Sequence, residues 1–342
     1  MVSHQVFLKS KPTAAVIGAG ISGLMCARSL LDQGWAVSVF EKSRGVGGRM
    51  ATRRVADDLH FDHGAQYFTA RDEQFARHVN SWITDGIVSP WVGRVVTVAK
   101  GQVVPKLKTT PRFVSVPGMN GICKHLSRNV DIRFQQQISP PVFERNGWQL
   151  IDQEGRNVGR FDYVIATAPS DQSALLLAES PPLQRQAQSQ QMRGCWSVML
   201  AFQSALDLSF DGAFVHESPL SWIARNNSKP YRDGPAECWV LHASAEWTTE
   251  NLEAEHHDVV QLLTKAFWEA TGQPPLAPSY RTAHRWRYAI PEKPLDARCL
   301  FDDKRRIGAC GDWCGGPRVE GAFLSGLAMA ERLLTHAAHA DT

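Results

Sequence analysis

The sequence lacks a charge imbalance and any cluster of basic residues. Its 342 residues include 37 lysines and arginines against 34 aspartates and glutamates, so the formal net charge is +3. A protein that binds nucleic acid usually needs a basic block or stripe to neutralise phosphates. Because the charges here are spread along the whole chain, we expect no nucleic-acid partner. A small cationic pocket for a phosphate-bearing substrate is still compatible with this composition.

Long apolar runs are also missing. No stretch reaches the roughly 20 apolar residues that a membrane-spanning helix needs. The apolar segment 14–27 follows Lys9 and Lys11, as a signal peptide would, but it contains three glycines and has no suitable cleavage site. We therefore predict no membrane partner and a cytoplasmic location.

Paired cysteines and metal-ligand spacings are absent as well. The seven cysteines are odd in number and scattered, which favours reduced and mostly buried thiols. Cys310 and Cys314 have no second ligand pair at a metal-binding spacing. His256 and His257 are sequence neighbours and point to different faces of a predicted helix. The sequence therefore predicts no metal site.

The length of the chain and its 43% hydrophobic content are sufficient for two domains, each with a core. At the N-terminal end the pattern predicts a strand over Ala14–Ile17, a helix over Ile21–Gln33 and a strand over Ala36–Phe40. Short strands follow over 131–167, with a hairpin turn at Asn146-Gly147. These elements predict a mixed α/β fold that begins with a βαβ unit.

A tryptophan-rich segment, residues 191–290, predicts a second, sheet-based domain. One amphipathic helix, Asn251–Thr271, interrupts its strands. The chain then returns to the first domain with a strand over Arg306–Ala309 and a last helix over Gly321–Ala337. We expect the second domain to be inserted between pieces of the first.

The glycine pattern of the βαβ unit predicts a dinucleotide site. Gly18 permits a tight turn, Gly20 lets the backbone approach a pyrophosphate, and Gly23 allows the helix to pack closely on the strand. Ile21 and Ser22 open that helix, whose N-terminus attracts phosphates. Glu41 ends the next strand, where its carboxylate can accept hydrogen bonds from a ribose and would repel a 2′-phosphate.

The loop after Glu41 brings further cations to the same place. Lys42 and Arg49 flank a glycine-rich stretch that includes Gly48. Paired glycines before an arginine indicate close approach of an anion, and a guanidinium can bind pyrophosphate through two parallel hydrogen bonds. Arg49 is therefore a candidate pyrophosphate ligand.

With these motifs the chain resembles the flavin amine oxidase superfamily. The resemblance rests on the glycine motif, Glu41 and Gly47-Gly48-Arg49, together with Gly311-Asp312 and Val319-Glu320-Gly321-Ala322. Residues 61–71 and 311–314 most resemble the renalase branch, and further matches occur at 224–226, 239–243 and 284–286. The resemblance runs almost from end to end.

The resemblance implies a two-domain fold of the p-hydroxybenzoate hydroxylase type that holds FAD, which we expect to be bound non-covalently. It assigns residues 1–68, 113–190 and 291–342 to the FAD-binding domain, and 69–112 and 191–290 to the substrate domain. Asp312 would bind the ribityl-phosphate portion, the helix N-terminus at Gly321 and Ala322 would face the flavin O2 atom, and the backbone of Ile138 would contact adenine. Gln66 and Tyr67 would lie by the flavin.

For the substrate side, the resemblance implies oxidation of the 2- and 6-dihydro isomers of NAD(P)H. Hydride would pass to the flavin, and O2 or a quinone would reoxidise it. Tyr67, Asn226 and His242 are the candidate catalytic residues, although His242 fits a structural role equally well. Trp222 and Trp286 fit either the pocket wall or the core.

Two alternatives remain open from the sequence. A flavin amine oxidase commonly places a lysine near the flavin, whereas residues 284–288 contain none and carry Arg285 and Arg287. These cations would repel an ammonium group and suit a phosphate-bearing dinucleotide. The other alternative is a flavin-binding module with no turnover of its own.

Overall fold

The computed structural model describes residues 11–56, 59–105 and 110–340; Lys9 lies outside them. The strands of the described residues are, in chain order, β1 (Thr13–Ile17), β2 (Ala36–Glu41), β3 (Thr52–Ala56), β4 (Leu59–Asp62), β5 (Val88–Pro90), β6 (Val95–Ala99), β7 (Gln102–Pro105), β8 (Phe113–Ser115), β9 (Asp131–Phe134), β10 (Val142–Glu144), β11 (Gly147–Ile151), β12 (Asn157–Phe161), β13 (Tyr163–Ala166), β14 (Met192–Phe202), β15 (Gly212–His216), β16 (Leu220–Arg225), β17 (Glu237–Ala243), β18 (Tyr280–Pro291), β19 (Cys299–Asp302) and β20 (Ile307–Cys310). The helices are α1 (Ile21–Asp32), α2 (Glu73–Thr84), α3 (Gly121–Leu126), α4 (Ser170–Leu176), α5 (Pro181–Gln188), α6 (Ala245–Glu250), α7 (His256–Thr271), α8 (Asp312–Gly315) and α9 (Arg318–Ala340), with short 3-10 turns at Gly48–Met50 and Asn226–Ser228.

The first sheet has six strands in the order β19-β20-β13-β1-β2-β9. All neighbouring pairs are parallel except β19 with β20. Strands such as β13 are buried along their whole length, as apolar runs in a parallel sheet should be. With β1 at the centre, the carboxyl ends of β1 and β2 lie at one edge, which is where this Rossmann-like arrangement holds ligands. The predicted βαβ unit is confirmed.

The predicted meander over 131–167 differs from the structure in two ways. The segment Asp131–Phe134 pairs in parallel with β2 and is the edge of the main sheet, while β10, β11 and β12 form a separate antiparallel sheet. The hairpin turn lies one residue earlier than predicted, because Arg145 and Asn146 have positive φ and Gly147 already pairs with Glu144.

The second sheet has seven strands in the order β18-β14-β17-β16-β15-β6-β7. Its core contains Trp196, Trp239 and Phe267, the last of these from helix α7. The predicted helix over Asn251–Thr271 begins later, at His256, and residues 245–250 before it form a separate helix, α6, with Ser244 as its N-cap. It ends at Gly272, whose φ of 68° provides the left-handed C-cap.

The two-domain division stays a prediction, although strands β6 and β7 do join the sheet formed by residues 192–291. Helix α2, which the prediction placed in the substrate domain, packs on helix α9: the Phe75 and Phe323 ring centroids lie 5.0 Å apart. Helix α9 begins at Arg318, three residues before the predicted start.

Among the described residues, no helix has the length and apolar character needed to cross a membrane.

Candidate active site

A cavity of about 1390 Å³ has walls from both large sheets. One end is formed by the turn between β1 and α1 and by the loop after β2. The other end is formed by side chains of β16, β17 and β18, among them Trp222, His242 and Trp286. The cavity therefore joins the predicted dinucleotide site to the tryptophan-rich sheet.

The glycine turn at one end is shaped for close approach. Gly18 has φ 119°, and a Cβ atom on Gly23 would lie 2.2 Å from the Gly18 carbonyl oxygen, so α1 packs directly on the turn. A Cβ on Gly20 would meet no protein atom within 4 Å. Gly20 lines the cavity and is the N-cap of α1 without any side-chain cap. The first N–H groups of α1 can therefore bind an anion.

Glu41 supports this turn with its carboxylate. One oxygen accepts a hydrogen bond from the Ala19 N–H at 2.8 Å, and the other accepts one from the Ser43 N–H at 2.7 Å. The side chain is buried and lines the cavity. Glu41 thus fixes both loops of the site, and its unused lone pairs are what a ribose would meet.

Arg49 is held by Asp312. The two terminal guanidinium nitrogens donate to the two carboxylate oxygens at 2.7 Å each, and one also donates to the Ala289 carbonyl at 2.9 Å. Both terminal nitrogens of Arg49, which the sequence assigned to a pyrophosphate, therefore already donate hydrogen bonds to protein acceptors. The Arg49 side chain remains 30% exposed, so the ion pair borders the cavity.

Most of the predicted site residues line this one cavity. They are Gly18, Gly20, Ile21, Ser22, Glu41, Lys42, Gly48, Arg49, Gln66, Tyr67, Ile138, His242, Asp312 and Ala322.

Three predicted site residues do not line the cavity. Gly23 lies in the first turn of α1, packed against the Gly18 carbonyl, and Gly321 lies in the first turn of α9, where a Cβ would be 2.0 Å from the Gly316 carbonyl oxygen. Asn226 was a catalytic candidate, but its side chain is buried against β4. It accepts from the Asp62 N–H at 3.3 Å and donates to the His60 carbonyl at 3.0 Å. Asn226 therefore cannot contact a ligand in the cavity in this arrangement.

The second end of the cavity is aromatic. The Tyr67 and Trp222 rings lie 5.5 Å apart, and Phe214 lies 4.8 Å from Trp222. Trp286 stacks on His63 at 5.0 Å. Both tryptophans line the cavity, and Trp222 is also buried in the hydrophobic core. Flat apolar walls of this kind accept planar rings.

Three histidines of this end are neutral at pH 7. Burial is the main cause in each case: it lowers the pKa of His63 to about 3 and those of His242 and His284 to about 4. For His63 and His284, the nearby Arg53 lowers the pKa further. The His242 Nε2 atom lies 3.3 Å from the His63 carbonyl oxygen, which also accepts from the Trp286 indole N–H at 2.9 Å. This shared acceptor fixes both rings.

A buried charged cluster lies behind this end, and the sequence prediction missed it. Lys229 and Asp62 are fully buried, and Arg232 nearly so. Lys229 comes from the loop after β16 and not from residues 284–288, the stretch compared with the amine oxidases, which contains no lysine. The sequence feature that pointed to this cluster was the presence of Lys229 and Arg232 shortly after the candidate residue Asn226.

The residues present fit a dinucleotide such as FAD. The uncapped helix N-terminus, the open side of Gly20 and the cations Lys42 and Arg49 lie at one end, and the cavity continues from there to the aromatic end. Among the described residues, no group of three or more His, Cys, Asp or Glu could hold a metal ion.

Comparisons with known proteins agree with this geometry. Residues 16–82 match the family model of the NAD(P)-binding Rossmann-like domain, and residues 107–334 match that of the flavin containing amine oxidoreductases. The second match covers more than half of the chain.

Curated relatives are similar only over short segments. A 4-hydroxybenzoate brominase (decarboxylating) from Pseudoalteromonas luteoviolacea is 41% identical over 66 residues, which are 19% of this chain and 13% of the relative. A 4,4'-diapophytoene desaturase from Staphylococcus aureus is 48% identical over 50 residues, 15% of this chain and 10% of the relative. The chain thus matches only a small part of these relatives' length.

Among solved structures, cyclohexylamine oxidase from Brevibacterium oxydans has a similar fold. The TM-score is 0.75 at 11% sequence identity, and the alignment covers 96% of this chain and 100% of the other. At that identity the likeness concerns the fold alone. With its Rossmann-like sheet and the long family match, the chain belongs to the flavin containing amine oxidoreductase family.

Proposed function

We propose that this protein is an FAD-dependent oxidase of the 2- and 6-dihydro isomers of NAD(P)H, with FAD bound non-covalently. In the part of the chain that the structure describes, Cys195 is the cysteine that lines the cavity, and burial raises the pKa of its thiol to about 12. A protonated thiol is a poor nucleophile, which supports non-covalent binding. When bound, FAD supplies the hydride acceptor, the N5 atom of its isoalloxazine ring.

The observation that carries the proposal is the lack of a free carboxylate for an ammonium substrate. Glu41 and Asp312 are the acidic residues among the described residues that line the cavity. Glu41 lies at the glycine-turn end of the cavity, where it accepts from two backbone N–H groups, and the charge of Asp312 is compensated by Arg49. Burying an alkylammonium without a counter-charge is costly, whereas a dihydronicotinamide ring is neutral and planar.

Neutral histidines also suit this reaction. The oxidised nicotinamide ring carries a positive charge, which a protonated imidazole would repel. Because His63, His242 and His284 stay neutral, the charge of the product is tolerated. The faces of Tyr67 and Trp222 can stabilise it further through cation–π contacts. No proton leaves the substrate carbon as H⁺ in a hydride transfer, so orientation by these rings is sufficient.

Arg285 and Arg287, both on strand β18, are our candidate ligands for the phosphates of the substrate. Both line the cavity, and both pair with the carboxylate of Glu253, at 2.7 and 2.6 Å. Two guanidinium groups that share one carboxylate leave one positive charge in excess. That charge supports binding of the substrate's phosphates.

The test is anaerobic stopped-flow absorbance of the flavin band. The purified protein is mixed with 6-dihydro-NAD, with ordinary β-NADH and with a panel of amines. We expect rapid bleaching by the isomer and slow or no bleaching by the others. Reoxidation by O2, with H2O2 formed, or by a quinone is then followed in the same cell.

A flavin amine oxidase is the second candidate. The family match and the fold shared with cyclohexylamine oxidase favour it, as do the aromatic rings, which attract cations. Bleaching by an amine, with the isomer inert, would move the protein to this class. Bound flavin that no reductant in the panel bleaches would favour a flavin-binding module.

A further inference from the structure

The buried charged cluster behind the cavity is unevenly compensated. It contains one carboxylate, Asp62, and two cations, Lys229 and Arg232, all almost inaccessible to solvent. Arg232 takes most of the carboxylate: its Nε and one terminal nitrogen donate to the same Asp62 oxygen at 3.2 and 3.0 Å. The other Asp62 oxygen accepts from the Thr52 hydroxyl and the Met119 N–H.

Lys229 is left with weaker partners. Its Nζ atom lies 3.4 Å from the Asp62 carboxylate, 3.2 Å from the Gln66 amide oxygen and 3.3 Å from the Asn226 amide oxygen. Two neutral amides solvate the ammonium group without cancelling its charge. Burial lowers the pKa of Lys229 to about 8, so the charged form still predominates at pH 7. The cluster therefore holds a net positive charge.

This charge lies one side chain away from the cavity. Gln66 accepts from Lys229 and itself lines the cavity. Its amide nitrogen donates to the Gly64 carbonyl at 3.2 Å, so the side chain is fixed between the two. The segment that contains Gln66 also contacts the glycine-rich loop after β2, because the Ala65 N–H donates a hydrogen bond to the Arg49 carbonyl at 2.8 Å. Gln66 thus links the Lys229 ammonium group to the wall of the cavity.

We propose that Lys229 is an electrostatic determinant of the redox potential of this site, supplying a buried positive charge that favours the electron-rich form of the bound flavin. The proposal rests on the proposed FAD site and not on the identity of the substrate. Reduction adds negative charge to a flavin, and a fixed cation nearby in a medium of low dielectric stabilises it. Lys229 acts through its field, because it does not line the cavity.

The experiment measures the midpoint potential of the bound flavin by slow reductive titration against a reference dye. Lys229→Met removes the charge and keeps the length of the side chain. Asn226→Asp keeps Lys229 and places a carboxylate beside it without adding volume. We expect both variants to prefer oxidised flavin at least tenfold more than the wild type does, a fall of about 30 mV for a two-electron couple.

Lys265→Met is the matched control, because Lys265 is an exposed lysine on α7 paired with Glu269. Its potential should equal that of the wild type. A purely structural cluster would lower the melting temperature of both test variants and leave their potentials unchanged, which would overturn the proposal. Failure of both variants to fold would count the same way. No nicotinamide is present, so an inert isomer in the stopped-flow test leaves this result unaffected.

Discussion

Arg49 and Asp312 form a bidentate ion pair between segments that lie far apart in the sequence. Both N···O distances are 2.7 Å, and the carboxylate is largely buried while the guanidinium borders the cavity. Arg49 follows the second strand of the Rossmann-like sheet, and Asp312 opens helix α8 after its fifth parallel strand. The pair therefore closes the two halves of the predicted flavin site against each other.

Removing either partner should cost the protein its flavin. We expect Arg49→Ala and Asp312→Ala to purify folded but with little bound flavin, and the double variant to be no worse than either single one, because the two act as a unit. The measurement is the absorbance ratio of the flavin band to the protein band. Arg332→Ala, which breaks an exposed pair with Asp303, is the control. Full yellow occupancy in Arg49→Ala would contradict the assignment.

Substitution by alanine should have different effects at Gly20, the N-cap of α1, and at Gly23, in its first turn. At Gly20 the backbone is extended and the added Cβ meets no protein atom, so Gly20→Ala should fold normally and lose about tenfold or more in FAD affinity, roughly 1.4 kcal/mol. At Gly23 the Cβ would strike the Gly18 carbonyl, so Gly23→Ala should lower stability by about 1–3 kcal/mol or more. Urea unfolding and flavin titration separate the two effects. Equal stability of both variants would show that the turn adapts.

Arg287 should discriminate substrates by their phosphates. If it binds a phosphate, Arg287→Ala should raise KM for 6-dihydro-NAD about tenfold, the effect of one charge-assisted hydrogen bond. KM for the corresponding dihydronicotinamide riboside, which has no phosphate, should not change. Steady-state kinetics with both compounds make the comparison. Equal changes for both compounds would assign Arg287 to packing and not to phosphate recognition.

The neutral histidines predict a loss of stability in mild acid. The native pKa values of His63 and His242, about 3 and about 4, lie below the unfolded value of 6.5, so only the unfolded chain takes up these protons as the pH falls below 6.5. Each such proton lowers the free energy of unfolding by about 1.4 kcal/mol per pH unit. Burial by itself raises the pKa of Asp62, but the two cations beside it and its hydrogen bonds outweigh burial and lower the pKa to about 2. Asp62 therefore adds its loss of stability only below pH 3.8.

Urea unfolding between pH 7 and 4.5, at a fixed FAD concentration, measures this dependence. His242→Asn should flatten the curve, whereas His216→Asn, at an exposed position, should run parallel to the wild type. A His242→Asn curve parallel to the wild type would mean that His242 is protonated in the native state.

Local features of the fold were predictable from the sequence. The βαβ unit follows from the spacing of apolar residues and glycines within about 30 residues, and its boundaries agree with the structure within one residue. Errors arose where pairing partners were distant. The segment Asp131–Phe134 has the pattern of any short strand, and only its contact with β2 makes it part of the main sheet.

The site divides in the same way. The sequence by itself determined the glycine turn and the start of α1, which form the predicted phosphate-binding end. Gly18 has a positive φ and Gly23 packs against the turn, and glycine is the residue that meets both requirements. Tertiary structure alone decided the partners of Arg49, the exclusion of Asn226 from the cavity and the burial of Lys229 beside Asp62. Each of these depends on contacts between residues more than 150 positions apart. The desolvation that sets their charges and pKa values exists only once the two sheets have packed together.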